Sequence, residues 1–366
     1  MNNPSASFVV PCYKLAHLLP ECINSILSQT YGDFEVLIMD DRSPDNTPEV
    51  AQSFRDPRVK HIRNDPNLGH LRNYNKGISL TRGRYVWLIS ADDYLRKPYV
   101  LERYVGLLDK HPHVGYVFCP AVGIRDGLDT RVLGRYSQSS DRDRIIPRHV
   151  FLAKLLRSNF VPTPSAMVRR NCYEKLSLFP LNMPWCGDWY LWSLFALYYD
   201  VGYFADPMVC YREHHALSMT HKLLQEHLDD NGAEEISVPW SIRKQAQELG
   251  YSRVAKECLS AVAQTYARTL ASERYRHSRF FMSFEQLEDS LRLHIRSNAE
   301  RNRVRARVYA GVGNERYWQG DFASAREFYQ AALKTDPWMA SVSLKLFLLT
   351  LGKRGHYLRR AIWSYR

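Results

Sequence analysis

Phe34-Glu35-Val36-Leu37-Ile38-Met39-Asp40-Asp41 and Tyr85-Val86-Trp87-Leu88-Ile89-Ser90-Ala91-Asp92-Asp93 are two apolar runs that each lead into a pair of aspartates. Short runs this rich in β-branched and aromatic residues, bounded by polar ones, predict central strands of a mostly parallel sheet. Carboxylates at the exits of buried strands are costly unless they bind something. Open α/β sheets bind ligands in the crevice outside the carboxyl ends of their strands. One aspartate pair placed there can hold a nucleoside, and the other a divalent metal.

Working outward, Ser7-Phe8-Val9-Val10 predicts a first strand closed by Pro11. Leu19, Ile23, Ile26 and Leu27 fall on one helical face, with Pro20 near the helix start, where its missing N–H costs nothing. Thr47 reads as the N-cap and Pro48 as the first residue of another helix. Val114-Gly115-Tyr116-Val117-Phe118 and Ala166-Met167-Val168 predict further strands, and 123–147 an irregular loop or edge hairpin. The apolar stretch from Trp189 to Phe204 is interrupted by Asp200 and Gly202 and predicts a buried helix running into a strand. Strands separated by helix-length segments make the first part an α/β sheet.

From about residue 217 onward helical periodicity takes over. Tyr309, Gly313, Tyr317, Gly320, Phe322, Ala325, Tyr329, Ala332 and Pro337 sit at offsets resembling one tetratricopeptide repeat, about 306–339, in which small residues let two antiparallel helices pack closely. One repeat cannot bury its own face, so it must stack on neighbouring helices. The expected division is 1–216 for the α/β domain and 217–366 for an all-α region.

The 366 residues carry 50 Lys and Arg against 38 Asp and Glu, a net charge of +12. That balance attracts acidic partners such as nucleotide phosphates or anionic headgroups without choosing among them. Seven scattered cysteines without a C-x-x-C pair indicate neither a disulfide framework nor a zinc site and fit a reducing cytoplasm. No stretch approaches the ~20 apolar residues of a membrane span, and the N-terminus does not read as a signal peptide.

The motifs of the first ~215 residues together resemble glycosyltransferase family 2, with its GT-A nucleotide-sugar fold. The resemblance rests on Pro11-Cys12-Tyr13, on Ser25 to Tyr31 leading to Asp33-Phe34-Glu35, and on Asp40-Asp41 with Ser43 and Asp45-Asn46-Thr47. It continues through Asn67-Leu68-Gly69 with Arg72-Asn73 and Gly77, Ala91-Asp92-Asp93, Gly187-Asp188-Trp189, and Tyr211-Arg212 with His214. It implies a metal-dependent, inverting transfer of a sugar from a nucleotide-diphosphate donor, UDP-sugar first among them, to a hydroxyl of a glycan, lipid-linked or protein acceptor.

By the same resemblance Asp41 meets the nucleobase while Asp40 orients a neighbouring loop, Pro11 and Tyr13 form the opposite wall, and Arg72 reaches the base or phosphates. Asp92 and Asp93 are hard oxygen ligands for Mn2+ or Mg2+, with His214 completing the metal shell. Ser90 stands where the family's D-x-D motif has its first acid, and the competing reading makes Asp92 and Asp93 caps of a helix beginning near Leu95. Asp188 is the implied general base, with Gly187 in place of the family's Glu. The Tyr211-Arg212-Glu213-His214 segment is implied to bring Arg or His to the diphosphate or metal, and Trp185 or Trp189, whose ring faces suit the C–H surfaces of sugars, is expected to touch the acceptor.

The turn after the first strand lacks the glycines of a dinucleotide site, and the Gly-rich basic loop of nucleotidylyltransferases is missing. The remaining alternative is a non-catalytic scaffold that uses its helical region. The expected partners are a nucleotide-sugar donor and its acceptor, with a protein partner at the C-terminal helices and no nucleic acid. The expected location is cytoplasmic; the basic tail of Lys353, Arg354, Arg359, Arg360, Trp363 and Arg366 reads as an ordinary solvated helix end, with peripheral contact at anionic lipid as the alternative.

Overall fold

All seven residues of Ala6–Cys12 are buried, as are all seven of Phe34–Asp40, which is why both read as continuous rather than alternating apolar runs. The structure, a computed structural model, describes residues 3–136, 142–213, 217–226, 228–271 and 283–363. The chain divides into two units, Met1–Glu226 and His227–Arg366.

The first unit begins with β1 (Ala6–Cys12), α1 (Leu19–Leu27), β2 (Phe34–Asp40), α2 (Thr47–Ser53), β3 (Val59–Arg63), α3 (His70–Leu80) and β4 (Tyr85–Leu88). There follow β5 (Tyr94–Leu95), α4 (Val100–Lys110), β6 (Val114–Phe118), β7 (Ala121–Arg125), β8 (Leu128–Leu133), β9 (Arg144–Ile146) and α5 (Arg148–Leu155). It closes with β10 (Met167–Arg169), α6 (Arg170–Lys175), α7 (Gly187–Tyr198), β11 (Asp200–Tyr203), β12 (Val209–Arg212) and α8 (Met219–Glu226).

The main sheet has the order β3-β2-β1-β4-β10-β6-β11-β9. Strands β3, β2, β1 and β4 are mutually parallel, with Val9 opposite Leu37 on one side and Leu88 on the other. Strand β10 runs antiparallel to both β4 and β6. The exits of β1, β2 and β4 therefore share one edge, as the acidic strand ends require. A second sheet, β5-β12-β7-β8, stands beyond that edge.

Stacked rings fill the space between sheet and helices: Phe8 on Trp87 at 5.3 Å, Trp87 on Tyr104 at 4.7 Å, and Tyr104 on Phe204 at 5.2 Å. Both large rings with a polar tip use it on one turn, Thr163–Ser165. Trp87 Nε1 donates to the Pro164 carbonyl at 2.8 Å and the Tyr104 hydroxyl to that of Ser165 at 3.0 Å.

Two local readings change. Strand β1 continues through Pro11 to Cys12. The ring lies past the last β1–β4 pair, Val9 with Leu88, so its missing N–H removes no ladder bond there, and the Pro11 carbonyl accepts from Ala91 N–H. Thr47 is the first helical residue of α2 rather than its cap, which is Asn46, and Asp45 Oδ1 receives both the Thr47 N–H and its hydroxyl. For 123–147 the hairpin alternative holds at its start, where β7 and β8 turn at Asp126-Gly127 with both φ angles positive, at 51° and 77°.

The second unit contains α9 (Leu228–Glu248), α10 (Ser252–Ala271), α11 (Phe284–His294), α12 (Asn298–Trp318), α13 (Phe322–Thr335), α14 (Ala340–Thr350) and α15 (Gly352–Trp363). Val262, Tyr266, Leu287, Leu291 and Val308 share one core. Close approach of α12 to its neighbours depends on small residues. A Cβ on Gly311 would stand 2.4 Å from Ala267 Cβ, and one on Gly313 would stand 2.8 Å from the Tyr329 ring. Arg359 leaves the basic tail expected from the sequence. It is 2% exposed, lies 3.5 Å from the Tyr317 ring centroid, and donates to the Tyr329 hydroxyl at 2.7 Å.

Candidate active site

The loops after β1 and β2 are strapped together by their own side chains. Lys14 N–H donates to Ser43 Oγ at 3.2 Å and Ala16 N–H to Asp45 Oδ2 at 3.2 Å. Each loop holds a non-glycine residue in the left-handed region, Lys14 at φ 60° and Arg42 at φ 59°. Strain of this kind persists where surrounding contacts over-determine the backbone. Pro11 is buried at the base of this wall, and Tyr13 stands 42% exposed above it with the Lys14 ammonium 5.2 Å from its ring centroid.

The two aspartates ending β2 have different partners. Asp40, fully buried, accepts from Ser43 N–H at 2.8 Å and faces His61 at 3.4 Å and Arg63 at 3.7 Å, so it holds the loop. Burial raises the Asp40 carboxyl, but these partners outweigh it and keep the group below the usual carboxylate range. Asp41 Oδ1 accepts from Asn64 Nδ2 and Leu68 N–H, each at 2.8 Å, and Oδ2 from Gly69 N–H at 2.9 Å. A carboxylate oxygen has two lone pairs, so Oδ2 retains capacity for one more donor beyond those found among the described residues.

These bonds give the Asn67-Leu68-Gly69…Asn73…Gly77 spacing its reason. Asn67 Nδ2 donates to the Asp41 carbonyl, Asn73 Nδ2 to the Met39 carbonyl at 3.0 Å, and Gly77 allows α3 to lie on β1 and β2. Arg72 projects exposed from the first turn of α3, and among the described residues no hydrogen bond or ion pair holds it.

At the exit of β4 the chain turns through Ser90-Ala91 and enters β5, paired antiparallel with β12. The next helix begins only at Val100, so Asp92 and Asp93 cap no helix at Leu95. Arg212 on β12 clamps the corner: its N–H donates to Asp93 Oδ1 at 2.9 Å, its Nε to the Asp92 carbonyl at 3.0 Å, and its Nη2 to Glu21 Oε2 at 2.6 Å. Of the two places the resemblance offers the 211–214 segment, Arg212 stands at the Asp92-Asp93 corner. Burial first, and then the charge of Asp92, pushes the Asp93 carboxyl well above the usual range. His214 lies outside the described residues.

Asp188 is the second residue of α7. Gly187 before it packs tightly, since a Cβ there would stand 3.3 Å from the Phe179 ring. Asp188 Oδ2 accepts the Thr163 hydroxyl at 2.7 Å and Asn159 Nδ2 at 3.2 Å, while Oδ1 accepts Trp189 N–H at 2.6 Å. Burial raises the Asp188 carboxyl and these bonds restrain the rise without cancelling it. Trp189 and Trp192 are core residues, and Trp189 Nε1 donates to the Leu155 carbonyl at 2.8 Å. That removes Trp189 from acceptor contact.

Two tyrosines connect the acids. Burial, and then the negative charges of Asp93, Asp92 and Asp188, pushes the Tyr211 phenol up to about 12, despite its hydrogen bond to Thr220. Burial followed by the charges of Asp92, Asp93 and Asp188 also raises the phenol of Tyr74 on α3, which packs edge-on against Phe179 at 5.5 Å. The strand exit and the N-terminal turn of α7 therefore share one electrostatic neighbourhood, and both phenols remain proton donors at neutral pH. Tyr74, Asn159, Thr163 and Glu21 were not singled out from the sequence. Tyr74 adjoins the Arg72-Asn73 motif, but the other three act across the fold without a local signal.

Residues 7–177 match the family model of Glycosyl transferase family 2. Glycosyltransferase GlyG of Streptococcus pneumoniae is 33% identical over 110 residues, 30% of this chain and 36% of that protein. An uncharacterized glycosyltransferase of Haemophilus influenzae is 27% identical over 222 residues, 58% of this chain and 67% of that protein. The chain spans 36% and 38% of the lengths of GlyG and of the Bacillus subtilis glycosyltransferase EpsJ. Among solved structures, S. aureus TarS 1–349 in complex with UDP-GlcNAc superposes with a TM-score of 0.56 at 15% identity, over 90% of this chain and 91% of that one. Strand order, acidic strand exits and family match agree: residues 7–177 form a Glycosyl transferase family 2 domain, on the GT-A fold.

Proposed function

We propose that this chain transfers a sugar from a nucleoside-diphosphate donor to an acceptor hydroxyl with inversion, Asp188 acting as the base. The observation that carries this reading is a buried carboxylate, Asp188, fixed at the first turn of α7 by Thr163, Asn159 and Trp189, in a domain whose strand exit presents Asp92 and Asp93 braced by Arg212. A base must lie opposite a leaving group, and here a carboxylate with a raised pKa, fixed by Thr163 and Asn159, shares a site with the strand-exit acids. In the transfer, the acceptor oxygen bonds to the anomeric carbon as the bond to the diphosphate oxygen breaks, and Asp188 receives the hydroxyl proton.

The donor set fits Mn2+ or Mg2+. Asp92 and Asp93 offer hard oxygen atoms, and their mutual repulsion is what a cation relieves. Among the described residues no group of three His, Cys, Asp or Glu forms a protein cage. Asp93 already accepts from Arg212, so Asp92 would be the principal ligand, with diphosphate and water oxygens completing the shell. A cation bound there neutralises charge on the departing diphosphate.

On the donor side, Asp41 Oδ2 would accept the imide N–H of a uracil, Tyr13 and Pro11 would wall the base, and Arg72 would pair with phosphate. UDP-sugar is the first donor to test, since the TarS neighbour holds UDP-GlcNAc. The acceptor class is a glycan, lipid-linked or protein hydroxyl.

The test is nucleotide release and product formation from UDP-, dTDP- and GDP-sugars with Mn2+ or Mg2+. Asp188→Ala should lower kcat about a thousandfold with donor binding retained, and Asp92→Ala should weaken metal-dependent donor binding. A wild type that binds no nucleotide, or two variants with full activity, would remove the proposal.

A further inference from the structure

The first of the last two helices of the second unit, α14, is apolar on the face it buries and also on the face it exposes, and α15 exposes an apolar row beside it. On α14, Val342 and Leu348 are buried, while Leu344, Phe347 and Leu351, spaced i, i+3, i+7, are exposed, Phe347 at 58%. On α15, Leu358 and Ile362 at i, i+4 and the neighbouring Tyr357 are exposed, with Gly355 and Arg359 turned inward. Trp338, in the turn before α14, is 92% exposed. Helices apolar on every side belong in an apolar environment, and scattered surface hydrophobics do not recur at helical spacing.

Charge selects the partner. Residues 337–366 contain six Lys or Arg and no Asp or Glu. Lys334 and Arg354, on either side of α14, are exposed. Two copies joined through this face would bring like charges together, which disfavours self-association. An apolar row with exposed Trp and Tyr rings and a mostly basic surround, with Asp336 between Lys334 and Trp338, matches the interface of an anionic bilayer, where rings and aliphatic side chains enter the headgroup boundary and cations meet lipid phosphate. No helix among the described residues is long and apolar enough to cross a membrane. We infer that the α14–α15 hairpin is a peripheral docking surface for a bilayer that carries anionic lipid.

The experiment is co-sedimentation of the full chain with phosphatidylcholine vesicles, with and without phosphatidylglycerol, across a salt series. The wild type should bind only the phosphatidylglycerol vesicles, with affinity falling as salt rises. Leu344→Glu with Phe347→Glu should weaken binding about tenfold or more, and Arg354→Glu should weaken it less and flatten the salt dependence. Both changes are at exposed positions, and unchanged circular dichroism and Tm separate lost docking from lost folding. If the double variant unfolds, Phe347→Ser supplies the same test. Equal binding to both vesicle types, equal binding by wild type and variants, or self-association abolished by Phe347→Ser without vesicle binding each overturns the inference. Because nucleotide release from the donor with a soluble acceptor is measured without vesicles, failure here leaves the transfer reading intact.

Discussion

The Thr163 hydroxyl donates to Asp188 Oδ2 at 2.7 Å across 25 residues of sequence, and the turn that carries Thr163 is itself held by Trp87 Nε1, from the strand leading to Asp92. The proposed base and the proposed metal strand are thus braced through one short turn. This bond lowers a carboxyl that burial raises. Thr163→Val should therefore move the acid limb of the kcat–pH profile to higher pH and lower the plateau about tenfold through lost orientation, whereas Thr163→Ser should restore both. An unmoved acid limb would mean that Asp188 does not set it.

Arg212 is a positioning residue by its contacts: it binds the Asp92 carbonyl, the Asp93 carboxylate and Glu21. Arg212→Met removes the Nε and Nη2 bonds and keeps the backbone one. Metal-dependent donor affinity should fall about tenfold or more, as expected when the support of a ligand residue is removed. Glu21→Gln should have a smaller effect because that carboxylate is half exposed. Isothermal titration with UDP and Mn2+ distinguishes these outcomes, and unchanged affinity in Arg212→Met would remove the positioning role.

Gly77 sits where a Cβ would stand 2.4 Å from Val9 Cγ1 and 3.0 Å from Met39 Cγ. Gly77→Val should destabilise the first unit by about 2 kcal/mol or more by lifting α3 from the sheet. Because α3 also carries Tyr74 and Arg72, donor affinity should fall with stability. Chemical denaturation and donor titration on one preparation check both.

Glu35 is a buried carboxylate on β2. Burial raises its pKa, but hydrogen bonds from Arg82 and from the Ser7 hydroxyl prevail and hold it below the usual carboxylate range. The unfolded chain then binds more protons than the folded one between the two pKa values. The stabilisation is full above the unfolded value of about 4.3 and is lost as pH falls through the folded value. Glu35→Gln should cost about 1–3 kcal/mol at pH 7, near the lower end because Arg82 can turn to solvent. The gap from wild type should narrow below about pH 5, as followed by urea unfolding.

Much of the sheet was legible because β1, β2 and β4 are buried on both faces and so are mostly apolar without alternation, Ser7 and Glu35 being the polar residues inside β1 and β2 before their exits. The β7–β8 hairpin was harder to see. Every residue of β8 from Leu128 to Val132 is exposed, so no apolar alternation marks it, although Asp126-Gly127 was a local turn signal. At the site, Asp40, Asp41, Asp92 and Asp188 could be picked out because each stands at the end of a strand or the start of a helix. Their partners could not. Asn159 and Thr163 are ordinary polar residues until the turn at 163–165 places them against α7, and Trp189 resembles a sugar-stacking ring until Leu155 takes its N–H.

By itself the sequence determined the class of fold and the acidic strand exits, because strand periodicity and burial are local properties of the chain. The tertiary structure alone decided how each carboxylate is used. Asp40 and Asp93 are occupied by backbone N–H groups, Asp41 organises the 67–69 loop, and Asp188 has its pKa raised by burial. Hydrogen bonding and desolvation depend on what packs against a group in space, and those neighbours come from segments tens of residues away.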